Sequence, residues 1–64
     1  MDMLKKGQKV AVNTASGRVV RKVWEDLGWA IEICSEEQFA ALESGQQAPQ
    51  PIGFKRKDVE ALCN

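Results

Sequence analysis

Between residues 9 and 14 apolar and polar positions alternate. Val10 and Val12 fall on one side; Lys9, Ala11 and Asn13 fall on the other. A period of two marks a half-buried strand. Gly7 precedes the run and Ser16-Gly17 follows it, so residues 13–17 read as a hairpin connection. Residues 18–25 form a second strand, with Val20, Lys22 and Trp24 on one face and Val19, Arg21 and Val23 on the other. Both faces mix apolar and charged groups, as in a strongly twisted barrel strand whose ends change neighbours. Glu25-Asp26-Leu27-Gly28 is the next turn, with glycine suited to positive φ. Residues 29–34 show the clearest alternation, and Trp29, Ile31 and Ile33 are predicted to point inward from a central strand.

The period then changes. Ser35 followed by Gln38 is a capping box, and Glu36 and Glu37 suit the positive start of a helix. The helix is predicted over 36–43, with Phe39 and Leu42 as its buried edge and Ser44-Gly45 as its stop. Residues 46–51 carry two prolines and form a loop. Residues 52–57 are the final predicted strand, with Ile52 and Phe54 on one face. Asp58 is expected to cap a closing helical turn over 59–62.

The order is strand, strand, strand, short helix, strand, helical turn. It predicts one mainly β domain spanning residues 1–64, a small barrel with a helix inserted after the third strand. A chain this short buries only about 60% of its extended surface. The core candidates are Leu4, Val10, Val12, Val20, Val23, Trp24, Leu27, Trp29, Ile31, Ile33, Phe39, Leu42, Ile52, Phe54, Val59 and Leu62.

Four segments together resemble an SH3-like small β-barrel of the Tudor and KOW kind. They are the opener Lys6-Gly7-Gln8-Lys9-Val10, the turn and strand Gly17-Arg18-Val19-Val20, the strand Trp29-Ala30-Ile31-Glu32-Ile33, and the close from Phe54 to Leu62. Residues 35–51 lie outside the resemblance, where a helix replaces a short turn. Size, the Gly7-Gln8-Lys9-Val10 opener and the ending Val59-Glu60-Ala61-Leu62-Cys63-Asn64 are also similar to the type II dihydrofolate reductases. Those enzymes bind ligand through a Val-Gln-Ile-Tyr segment. Pro51-Ile52-Gly53-Phe54 stands there in this chain, without the glutamine or the tyrosine, and the activity is not expected. A Tudor-type aromatic cage is not expected either, since the 13–17 loop has no aromatic residue and Trp24, Trp29, Phe39 and Phe54 read as core.

Charge adds a second layer. The chain is neutral overall, but residues 1–24 hold six basic groups and one acid, whereas residues 25–54 hold six acids and no base. Barrel topology would bring Lys5, Lys6 and Lys9 near Lys55, Arg56 and Lys57, with Arg18, Arg21 and Lys22 close by. Such a stripe could track phosphates. Alternatively, the acidic segment of one copy meets the basic segment of another, with Trp24, Glu36 and Glu37 at the contact. The chemistry available is limited. There is no histidine, and Cys34 and Cys63 lie far apart and read as reduced thiols. No cofactor is expected. Nothing resembles a signal peptide or a membrane span, so the expected compartment is the cytoplasm. The functional expectation is a small non-enzymatic interaction module that self-associates, most simply as a two-fold dimer. Nucleic-acid binding by the basic stripe is the alternative, and an enzyme assembled at an oligomer interface is the third reading.

Overall fold

The computed structural model describes residues 3–62. It contains β1 (Lys9–Thr14), β2 (Gly17–Asp26), β3 (Ala30–Cys34), α1 (Glu36–Glu43), β4 (Ile52–Lys55) and β5 (Val59–Ala61), with a 3-10 turn at Arg56–Asp58. The strands form one antiparallel sheet in the order β4-β3-β2-β1-β5, curled into a half-barrel. This arrangement is compatible with an SH3-like barrel.

β1 lies between β2 and β5, so Val10 and Val12 are covered from both sides and are fully buried. Ala11, on the outer face, is also buried. Its cross-strand partners are Val20 and Glu60, and their longer side chains shade its single methyl group. The β1–β2 hairpin closes at Thr14 and Gly17, where the Thr14 hydroxyl donates to the Gly17 carbonyl at 2.7 Å.

The helix forms where its caps predict. The Gln38 amide donates to Ser35 Oγ at 3.0 Å, and the Ser35 amide donates to Gln38 Oε1 at 3.2 Å. α1 packs on β2 and β3, but Phe39 and Leu42 are only half-buried, and no residue of α1 is fully buried. The helix therefore lies on the sheet as a partial cover.

The core is Val10, Val12, Val23, Ile31 and Ile33, with Leu4, Val19, Phe54 and Val59 packed against it. Four expected core residues are exposed instead: Val20, Leu27, Trp29 and Ile52. Val20 is on the outer face, which α1 leaves uncovered at that end of β2. Trp29 precedes the first cross-strand pair of β3, Ala30 with Lys55, so strand alternation does not govern it. It is 79% exposed.

Element boundaries also differ from expectation, most of all at the end of β2 and after β4. β2 runs on to Asp26 because its ladder continues to the pair Asp26–Ile31. The final strand stops at Lys55, and residues 59–61 form β5 rather than a helical turn. Pairing decides this. After the 3-10 turn the chain meets β1, where Val59 sits opposite Val12 and Ala61 opposite Val10, and backbone hydrogen bonds to a neighbouring strand replace the local helix.

Candidate functional site

Trp24 sits in a register shift between Val23 and Glu25. Bulges of this kind re-aim side chains. Trp24 itself stays on the outer face, half-buried, with its ring edge-on to Phe39 at 5.7 Å between centroids. The Lys6 ammonium lies 3.8 Å from the Trp24 ring centroid, and that of Lys22 lies 5.0 Å from the Phe39 centroid. Gly7 makes this packing possible. Its φ is +88°, and a Cβ there would stand 3.3 Å from Phe39 Cζ. Glu36 meets Lys9 at 3.5 Å, an exposed pair of small energetic value. Glu37 is exposed on the first turn of α1.

The expected basic stripe divides into groups. Lys9 and Lys22 are cross-strand partners on the outer face, and Arg18 lies further along it, 3.3 Å from Glu60. Lys5 and Lys6 occupy the turn leading into β1. Arg21 points to the inner face with Val19 and Val23. Lys55 ends β4, three strands from β1 in the sheet order, and Lys57 is exposed in the 3-10 turn.

Arg56 is drawn into the structure. The shift at Trp24 changes the parity of β2, so Asp26 follows Val23 onto the inner side, opposite Ile31. Its side chain is 2% exposed and paired with the Arg56 guanidinium. Asp26 also accepts from the Leu4 and Gly28 amides, each at 2.8 Å, while Arg56 Nε donates to the Gly28 carbonyl at 2.6 Å. The hydrogen bond from Arg56, helped by those amides, holds the Asp26 carboxyl well below the usual range, at about 2. This clasp fastens the β2–β3 turn to the N-terminal segment and to the 3-10 turn. Around it Met3, Leu27 and Trp29 are exposed. Beside the turn, Glu25 and Glu32 are direct cross-strand partners, and neither has an ion pair among the described residues. Like charges in that position repel.

At the other end of the half-barrel the inner face is open. A cleft of about 160 Å³ is lined by Val19, Ile33, Ile52 and Phe54, with Thr14, Arg21, Cys34 and Gln38 around them. Ile52 is 64% exposed, on an edge strand that pairs with β3 alone. Arg21 donates to the Val20 carbonyl at 2.8 Å and has no acidic partner among the described residues. Burial pushes the Cys34 thiol up in pKa, against the charge of Lys22. This fits the expected small buried hydrophobe; Cys63 lies outside the described residues.

No protein-family model, curated protein or solved structure gives a significant match to the chain. No helix among the described residues is long and apolar enough to cross a membrane. Sequence reasoning missed the clasp and the cleft. The acid of the clasp was visible inside a turn motif, but its partner lies thirty residues away, and the strand shift that turns it inward leaves no local pattern. The face of Arg21 was legible from alternation, whereas the openness of the barrel above it was not.

Proposed function

We propose that this domain is an SH3-like, non-enzymatic interaction module that self-associates. The observation that carries the reading is the mismatch between a small core and the number of large apolar side chains left exposed. Five residues make up the buried cluster, while Met3, Val20, Leu27, Trp29 and Ile52 all stand exposed. An exposed aromatic on a rigid turn is the kind of group that anchors interfaces. The open edge at β4 adds unpaired backbone groups that favour cover. The nucleic-acid reading has less support. Lys9, Arg18 and Arg56 hold acids, and Lys6 and Lys22 lie over aromatic rings.

Sedimentation from low to high micromolar concentration tests the proposal. The mean mass should rise with concentration. A compact, stable monomer throughout, at low salt, overturns it. A salt titration then separates the driving forces, since high salt weakens a charge-oriented assembly and leaves an apolar one nearly unchanged.

A further inference from the structure

Resting on that reading, the geometry points to a head-to-tail contact in which the Trp29 turn of one copy enters the open cleft of the next. Three observations on opposite ends of the molecule fit together.

The first is size. Sites for small organic ligands usually span about 300–1,000 Å³. The cleft holds about 160 Å³. That is room for one large side chain rather than for a cofactor. Its floor of Val19, Ile33, Ile52 and Phe54 is apolar, so the fitting side chain is apolar too.

The second is the exposed group itself. Trp29 is the most exposed of the large apolar residues among those described, and Leu27 stands two positions before it on the same turn. The turn is held by Asp26 and Arg56 through hydrogen bonds to Leu4 and Gly28. A rigid turn loses little further entropy on docking. Gly28, at φ +91°, sets the sharp bend that separates Leu27 from Trp29.

The third is charge. Arg21 borders the cleft without an acidic partner among the described residues. Glu25 and Glu32 face each other beside the Trp29 turn without a basic partner among the described residues. Bringing the turn of one copy to the cleft of another places the uncompensated acids on the side of the uncompensated guanidinium. Each copy then relieves a repulsion in its neighbour.

Topology makes this contact intermolecular. Arg21 and Val19 lie near the start of β2, and Asp26 is its last residue; Ile52 starts β4, and Lys55 ends it. Knob and cleft are therefore at opposite ends of the strands, and a copy cannot fill its own cleft. The contact is heterologous: it closes into a ring or extends as a filament, in place of the simple two-fold dimer expected from sequence.

A complementation experiment tests it. Trp29→Ala removes the knob and leaves the cleft. Ile52→Asp, at a residue exposed in the monomer, spoils the cleft and leaves the knob. Each variant alone should dissociate at least about thirty-fold more readily than the parent, the loss typical of an anchoring aromatic. Mixed together they should form a 1:1 heterodimer and nothing larger, since one intact half-contact remains. Light scattering reads both results. If Ile52→Asp does not fold by circular dichroism, Arg21→Glu replaces it as the cleft variant. Parent assembly that persists in both single variants overturns the head-to-tail contact while leaving self-association standing. So does a failure of the mixture to form heterodimer, which points to a two-fold contact. A parent that stays monomeric overturns self-association itself, and the contact with it.

Discussion

The two ends of the half-barrel solve the same problem in opposite ways. At the β2–β3 turn, an inward-facing carboxylate gathers two backbone amides and a guanidinium, and three chain segments are fastened together. At the β1–β2 hairpin end, the paired strands leave a cleft lined by apolar side chains on the inner face, and nothing in the described chain fills it. The closed end is polar inside and apolar outside; the open end is apolar inside with a cation beside it. A domain with so small a core has material to close one end and uses specific hydrogen bonds there. The other end is left with surface that a second molecule can cover.

The largest effect should come from the core that both ends share. Ile31 is fully buried between Asp26 of β2 and Phe54 of β4. Ile31→Ala should cost about 2–5 kcal/mol, a large fraction of the stability of any small domain. Chemical denaturation measures this, and unchanged stability would remove Ile31 from the core.

Breaking the closed end comes next. Asp26→Asn leaves Arg56 without its acid and should lower the melting temperature clearly at pH 7. The pH dependence is specific. The Asp26 pKa is depressed in the fold to about 2, from an unfolded value of about 3.9. Its stabilisation is therefore present above about pH 4 and lost as pH falls toward 2. The stability difference between parent and Asp26→Asn should shrink over that window, and a difference independent of pH would mean that the charge contributes nothing.

The helix cover should give a smaller change. Ser35→Ala removes the N-cap and should cost about 0.5–2 kcal/mol, whereas Ser35→Asp should keep most of the stability. Equal damage from both would contradict the capping geometry. The smallest effect belongs to the exposed turn. Trp29→Ala should change monomer stability by no more than about 0.5 kcal/mol, measured under dissociating conditions. A large loss would mean that Trp29 packs within its own chain, and the contrast between the ends would weaken.

Much of this architecture was legible along the chain because it depends on near neighbours. The bounds of β1 and α1 follow from alternation and from the Ser35–Gln38 box, both local signals. Ile31 and Ile33 were placed inward by the same alternation, and they are buried. Trp29 continued that pattern on paper, yet it stands before the ladder begins. Hydropathy suggested burial, but the turn supplied nothing to bury it against. Residues 59–61 carried a helical reading because a capping aspartate precedes them, and β1 overruled it by offering an unpaired edge.

Local spacing thus determined which segments become strands, where the helix starts, and that charge is sorted along the chain. Only the tertiary structure decided how those charges are used. A one-residue shift at Trp24 turned Asp26 inward, and a 3-10 turn following the edge strand β4 delivered Arg56 to it. The same curl left Arg21 beside an open cleft. The reason is physical: alternation specifies a face relative to the strand, while burial and partnership depend on what the curled sheet brings to that face.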